Sequence, residues 1–205
     1  MGKRSYRQNC ALARTGDLIG ERWTLLLIRD LLIGPRRFKD LSGSMKGMGS
    51  NLLATRLREL EAAGIVERQP LESGGRVYAL TVRGRALEPA VLALVRWGLT
   101  YEPEPQEGFH HRDDWDLLAL KSMFQPERAI DLRLTVQFRS PELTGWMRIA
   151  AGRIDIGLGD AACADLVIST TIKELFTGGG PPARHLDSGT EEELLRFMHA
   201  FALRV

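Results

Sequence analysis

Three polar side chains follow one face of a predicted helix in the first half of the chain. Leucines recur at helical spacing over residues 50–63 and mark its buried face: Leu53, Leu57 and Leu60. Asn51, Thr55 and Arg58 then fall on the opposite face, four and three residues apart. Asn can pair bidentately with adenine, Arg can pair with guanine, and the Thr methyl group can contact thymine. The spacing therefore predicts a helix that can read base edges in a major groove.

Basic and hydroxyl side chains on both sides of this helix suit contacts with phosphates. Ser50 and Arg56 lie at its edges, and Lys39 adds charge before it. Two later arginines, Arg68 and Arg76, flank the flexible tip of a predicted hairpin, where one of them can reach the backbone or the adjacent minor groove. The complete set of predicted DNA contacts is Arg36, Arg37, Lys46, Ser50, Asn51, Thr55, Arg56, Arg58 and Arg76.

The elements around this helix predict a mainly helical winged helix-turn-helix in the first hundred residues. Helical apolar spacing dominates up to Gly64, and two extended segments, 65–69 and 76–80, follow as a β-hairpin. Thr81 has the sequence context of an N-cap, and a long amphipathic helix is predicted from Thr81 to Trp97. Its apolar stripe is expected to form much of a two-fold homodimer interface: Leu87, Val91, Leu94 and Val95.

Charge is distributed unevenly along the chain, although the net charge is only +2. Residues 1–100 hold 17 Lys and Arg against 9 Asp and Glu, whereas residues 101–205 hold 11 against 17. The first half is therefore the part expected to bind a polyanion, double-stranded DNA. We expect a DNA-binding and dimerisation domain at 1–100, a Pro-containing and acidic linker at 101–112, and a second domain at 113–205.

The second half is predicted to be α+β, with a small antiparallel sheet. Short strand patterns occur over residues 132–138, 146–150, 153–158 and 165–169. Two capping boxes predict the helices that follow, one formed by Thr171 with Glu174 and the other by Thr190 with Glu193.

The first half resembles the HxlR family of regulators, which are relatives of the MarR group. The resemblance covers nearly all of residues 8–98, and its motifs are Cys10, the stretches 20–23 (GERW) and 34–38 (GPRRF), residues 51–60 (NLLATRLREL), and Tyr78 to Gly84. It implies a homodimer whose recognition helices enter successive major grooves of a pseudo-palindromic operator. Gly49 stands where the family usually has a serine N-cap, but glycine is a tolerable cap.

The second half is similar, less specifically, to the sterol-carrier-protein fold, chiefly through residues 164–169 (ADLVIS), the stretch ending Phe176-Thr177-Gly178 and the acidic-capped final helix. This resemblance implies an apolar cavity between sheet and helices, and hence an apolar small-molecule effector. Its candidate lining residues are Leu134, Val136, Phe138, Trp146, Ile168 and Phe176. Ordinary core packing by these residues is the alternative.

Other functional classes find little support in the sequence. Cys10 is a candidate redox sensor, since some relatives use that cysteine, although most lone cysteines are packing residues. No metal site, cofactor or enzymatic activity is expected: ligand spacing is poor, and Asp113, Asp114 and Asp116 suit a helix start. With neither a secretion signal nor a membrane span, we expect a cytoplasmic protein. The alternative function is a lipid or small-molecule carrier that uses its helix-turn-helix domain mainly for dimerisation.

Overall fold

A computed structural model of the chain describes residues 5–71, 73–101, 108–178 and 181–201. The chain divides into two compact units, Met1–Val91 and Leu92–Val205. Half of the predicted linker at 101–112, residues 102–107, lies outside the described residues, and the predicted domain limits stay a prediction. Within the described ranges, no helix combines the length and the apolar character needed to cross a membrane.

The first unit is mainly helical. Its helices precede and follow one hairpin: α1 (Ala11–Ile19), α2 (Thr24–Ile33), α3 (Phe38–Ser44), α4 (Ser50–Ala62), α5 (Val82–Arg85) and α6 (Glu88–Leu99). The division between the units falls within α6. Leu27 and Leu31 of α2 and Leu41 of α3 are fully buried, as are Leu53 and Leu57 of α4. The core is therefore built around α2 and α4, and the buried face of α4 is the one that the spacing of Leu53, Leu57 and Leu60 predicts.

The hairpin consists of β1 (Val66–Pro70) and β2 (Arg76–Leu80), which pair antiparallel with Val66 opposite Leu80. It begins directly after α4, because Gly64 adopts the left-handed backbone (φ 66°) that ends the helix. On its other edge, Tyr78 exchanges both backbone hydrogen bonds with Arg36, at 2.9 and 2.7 Å. The predicted helical winged helix-turn-helix is confirmed.

The predicted single helix from Thr81 to Trp97 is instead two helices, α5 and α6. The Thr81 side chain accepts a hydrogen bond from the backbone N–H of Gly84, as an N-cap does. Pro89 has no N–H to donate to the carbonyl of Arg85, so an α-helix cannot run unbroken across this point. Proline is tolerated in the first turn of α6, which begins at Glu88.

The second unit is α+β. Its elements are α7 (Asp113–Ser122), β3 (Arg133–Arg139), β4 (Thr144–Ala150), β5 (Arg153–Leu158), β6 (Leu166–Ile168), α8 (Ile172–Thr177), β7 (Leu186–Ser188) and α9 (Glu191–His199). The five strands lie in the order β5-β4-β3-β6-β7. Because β6 runs parallel to β3 while the other pairs are antiparallel, the sheet is mixed, and the prediction of a purely antiparallel sheet is wrong in this respect.

The two faces of this sheet differ in character. One face is apolar and buried; it carries Leu134, Val136, Phe138, Met147, Ile149, Leu166 and Ile168. The other, which we call the outer face, carries Thr135 and Gln137 of β3 beside Arg148 and Trp146 of β4. Gln137 is 2% exposed, and its side chain bonds residues 159 and 161 of the segment that connects β5 to β6. The connecting segment therefore crosses the outer face.

Candidate nucleic-acid interface

Helix α4 is held by its leucine face. Leu53 and Leu57 have no exposed surface and Leu60 has 2%, so the rotation of the helix about its axis is fixed by burial. Asn51 and Arg58 are exposed and Thr55 is half-buried. We call these three residues the reading face. The sequence periodicity predicts this arrangement, and the structure brings the three side chains to one side of the helix.

Hydrogen bonds join the three members of the reading face. The Thr55 hydroxyl donates to the carbonyl of Asn51 at 2.9 Å, and Arg58 Nη2 donates to Thr55 Oγ1 at 3.1 Å. Arg58 Nε also donates to the carbonyl of Ala54 at 3.3 Å. The guanidinium therefore lies back along the helix toward Asn51, and the polar groups form one continuous surface.

Arg56 has a different environment from Arg58. Its guanidinium bonds Glu59 at 2.5 Å and Glu21 at 2.9 Å, and 18% of its side chain is exposed. Glu21 precedes α2, so Arg56 links α4 to the start of another helix. The Arg56 guanidinium, which the sequence predicts to contact a phosphate, therefore already donates to two carboxylates.

The wing formed by β1 and β2 carries one engaged arginine and one exposed arginine. Arg68 bonds Glu61 at 2.8 Å, and its guanidinium lies 5.4 Å from the centre of the Tyr78 ring. Arg76, at the start of β2, is exposed. On the approach to α3, Arg37 Nη2 donates to the Ser73 hydroxyl near the wing tip at 3.4 Å. The wing and the segment before α3 are therefore in contact.

The remaining predicted contacts are distributed unequally. Lys46 and Ser50 are exposed just before and at the first turn of α4. Arg36, whose backbone pairs with Tyr78, is only 8% exposed. A phosphate contact needs an accessible guanidinium, so the position of Arg36 favours a structural role.

Two residues that support α4 are not identified by the sequence pattern. One is Glu21, the partner of Arg56. The other is Arg83, whose Nη1 donates to the carbonyl of Ala63 just beyond α4, at 3.1 Å. A cation at a helix carboxyl end is favourable. A pairing across 35 or 20 residues leaves no local signal, since it depends on how the chain folds back.

The six predicted effector-lining residues do not share one surface. Leu134, Val136, Phe138 and Ile168 are buried on the apolar face, and Phe176 joins them through its contact with Phe197, with ring centres 6.3 Å apart. The rings of Phe138 and Phe197 also contact each other, and those of Phe201 and Phe124 pack in the same region. Trp146 lies apart, because its opposite neighbour on β3 is Gln137 of the outer face.

Cys10 is exposed and precedes the first turn of α1. Interaction with the backbone N–H groups of Ala13 and then Leu12 lowers the pKa of its thiol below the ordinary value. Within the described ranges, no group of three or more His, Cys, Asp and Glu side chains is arranged to hold a metal ion.

The helices, the recognition-type helix α4 and the wing define a winged helix-turn-helix protein. The family model described as HxlR-like helix-turn-helix matches residues 18–106. HTH-type transcriptional regulator YodB of Bacillus subtilis is 42% identical over 83 residues, which are 40% of this chain and 74% of that protein. The chain belongs to the HxlR-like helix-turn-helix family.

Other similarities cover the same half of the chain. A regulator of Mycobacterium bovis, also named as HTH-type, is 39% identical over 98 residues, which are 47% of this chain and 61% of the relative. The match thus spans less than two thirds of that relative. The reduced form of YodB from B. subtilis, as a solved structure, is 34% identical, covers 48% of this chain and 100% of its own, and has a TM-score of 0.41.

Proposed function

We propose that this protein is a sequence-specific DNA-binding transcription regulator that acts as a homodimer on a pseudo-palindromic operator. The observation that carries the proposal is the reading face: Asn51, Thr55 and Arg58 stand out from a helix whose opposite side is fully buried. Family membership supports it, because the relatives are named HTH-type transcriptional regulators.

In the proposed complex, α4 enters the major groove and the wing approaches the neighbouring backbone. Asn51 and Arg58 contact base edges, and the Thr55 methyl group is available to a thymine. The proposed phosphate contacts are the exposed groups Arg37, Lys46, Ser50 and Arg76. Arg36 is omitted from this set because it is buried, and Arg56 because it is paired with two carboxylates.

The proposed homodimer uses the exposed apolar face of α6. Val91 of the predicted stripe is 5% exposed, whereas Leu94 is 51%, Trp97 66% and Tyr101 72% exposed. The last three residues recur at intervals of three and four, so they follow one side of the helix and its end. Large apolar side chains grouped on an exposed surface are typical of a protein–protein interface. A symmetric dimer would place two copies of α4 on two half-sites.

Operator selection followed by two substitutions tests the proposal. Duplexes enriched from a random pool by the full chain define the operator. Arg58→Ala should then weaken operator binding by about 1 to 3 kcal/mol and relax selectivity at one base pair, with a smaller effect on random DNA. Arg76→Ala is the matched control: it should weaken operator and random DNA alike and reduce the salt slope by about one. If Arg76 instead enters a narrow A·T-rich minor groove, Arg76→Ala should reduce the preference for flanking A·T pairs.

The alternative, a carrier with a dimerisation platform, predicts no enriched sequence and equal losses for Arg58→Ala on every duplex. An apolar effector within the second unit remains a further proposal. It would have to enter among phenylalanine rings with centres 5.0 to 6.3 Å apart. An effector would change operator affinity by a coupling free energy of typically about 1 to 3 kcal/mol, and DNA would change its affinity equally.

A further inference from the structure

A cavity of about 340 Å³ opens on the outer face of the sheet in the second unit. It lies on the opposite side of β3 and β4 from the phenylalanine rings. Its lining comes from β3, β4 and the segment that connects β5 to β6: Thr135, Trp146, Arg148, Asp160, Ala161 and Cys163. We call it the outer-face cavity.

The aromatic surface of this cavity depends on Gly157. Trp146 lies opposite Gly157 in the β4–β5 register. A β-carbon at residue 157 would stand 2.5 Å from Cζ2 of the Trp146 indole, closer than atoms can approach. The glycine therefore lets the indole lie against the backbone of β5, and the ring remains half-buried with part of its surface in the cavity. An indole held in this way is a platform for a second planar ring.

A guanidinium lies over this platform. The Arg148 guanidinium carbon lies 5.7 Å from the centre of the Trp146 ring, within the range of a cation–π contact. Its carboxylate partner, Asp155, is 3.4 Å away, and both side chains are more than half exposed. An ion pair of this kind contributes little to stability, so Arg148 can exchange Asp155 for a ligand anion at low cost.

One wall of the cavity is fixed by a buried amide. Gln137 Nε2 donates to the carbonyls of Gly145 at 2.9 Å and Gly159 at 3.3 Å, and Gln137 Oε1 accepts from the N–H of Ala161 at 2.7 Å. The backbone at 159–161 is thus tied to the sheet. Asp160 bonds Arg139 at 2.8 Å, which balances its charge, although its carboxylate still disfavours a ligand with two negative charges.

We propose that the outer-face cavity binds a small planar aromatic molecule with a single negative charge. Its ring stacks on Trp146 in the place of the Arg148 guanidinium, and the displaced guanidinium pairs with its anionic group. The aromatic surface selects a flat ring system, and the guanidinium selects a carboxylate with two oxygens in its own plane. Ala161 and Ala162 supply apolar contacts around the ring. The site does not depend on DNA binding.

Isothermal titration calorimetry of the full chain with 2-naphthoate tests the proposal. We expect saturable binding that Arg148→Gln weakens about tenfold or more, since a charge-assisted pair is lost. Arg153→Gln is the matched control: Arg153 lies on the same sheet face, opposite Ala150, and is outside the lining. It should leave the affinity within about twofold. Trp146→Leu should also weaken binding about tenfold, because the flat ring surface is removed.

Two related ligands separate the ring from the charge. Both 2-naphthalenemethanol, which lacks the charge, and cyclohexanecarboxylate, which lacks the aromatic ring, should bind at least about tenfold more weakly than 2-naphthoate. Equal binding of either would overturn the proposal, as would absence of saturable binding to the wild-type chain. An equal loss in Arg148→Gln and Arg153→Gln would also overturn it, since the anion would then be sensing only the general charge of the sheet. Because operator binding is measured separately, neither proposal depends on the other.

Discussion

Arg56 provides a direct test of how the recognition helix is held. Its ion pairs with Glu21 and Glu59 lie at 2.9 and 2.5 Å, and 18% of its side chain is exposed. The two carboxylates are 45% and 42% exposed, so solvent screens both pairs. Exposed pairs contribute roughly 0.2 to 1 kcal/mol each, and i,i+3 helix pairs fall toward the lower part of that range. Arg56→Gln should therefore reduce the free energy of unfolding by about 1 kcal/mol.

A change of about 1 kcal/mol corresponds to a decrease of about 2 to 4 °C in Tm for a chain of this size. Operator binding distinguishes a structural role of Arg56 from a phosphate contact. If Arg56 holds α4 to the start of α2, then Arg56→Gln should weaken operator binding modestly but leave the salt slope unchanged. A phosphate contact, in contrast, would reduce the slope by about 0.9. Fluorescence anisotropy of a labelled operator between about 50 and 200 mM salt, alongside thermal unfolding, provides both measurements.

The pairing with Glu21 can be isolated by a double-mutant cycle. Arg56→Gln and Glu21→Gln should each destabilise the protein, and the double variant should lose less than the sum, by about 0.5 kcal/mol. Arg58→Gln, on the exposed face of the same helix, is the matched control and should leave Tm within about 1 °C. A salt slope that falls by about one unit, together with an unchanged Tm for Arg56→Gln, would refute this account and restore Arg56 as a phosphate contact.

Three further predictions concern other parts of the chain. Trp97→Ser should shift a micromolar sample toward monomer in sedimentation equilibrium, because an exposed apolar anchor is lost; an unchanged dimer would place the interface elsewhere. In a Cys163→Ser background, alkylation of Cys10 should reach half its maximal rate at a lower pH in the folded than in the urea-unfolded protein, because its thiol pKa is lowered; coincident profiles would contradict this. Thr190→Ala should lower the free energy of unfolding by about 1 kcal/mol, since Thr190 caps α9 through Glu193. Hydrogen bonds from Thr190 lower the pKa of Glu193, so the stability that its ionised form contributes should disappear as pH falls through that pKa, and Thr190→Ser should retain most of it.

Local patterns are sufficient where one physical cause dominates. The spacing of Leu53, Leu57 and Leu60 predicts both the existence of α4 and the face that is buried, because apolar burial alone sets the rotation of the helix. The capping box of Thr190 and Glu193 predicts the start of α9 in the same way, since its partners lie three residues apart. Pro89 carries a comparable local signal, and it marks the break that the prediction of a single long helix overlooks.

Sheet topology depends on contacts that the sequence does not display locally. Parallel strands usually need a connection of a dozen or more residues. The short segment between β5 and β6 therefore suggests that β6 pairs antiparallel with β5. Here β6 is only three residues long and pairs with the second half of β3, which a short crossing can reach. The face of the sheet that Trp146 occupies is likewise not displayed by the local sequence. Adjacent Trp146 and Met147 point to opposite faces, and Met147, with no exposed surface, occupies the core.

The carboxylates around α4 limit how strongly the first half can bind DNA without regard to sequence. Glu21, Glu59 and Glu61 pair with Arg56 and Arg68, so the 17 basic residues of this half overstate the number of cations available beside α4. Counterion release scales with the cations that reach phosphates, and a smaller number gives a weaker non-specific term. In the proposed complex, selectivity then depends more heavily on the contacts of Asn51 and Arg58 with base edges. The same ion pairs that tie α4 to neighbouring segments therefore also favour discrimination over general affinity.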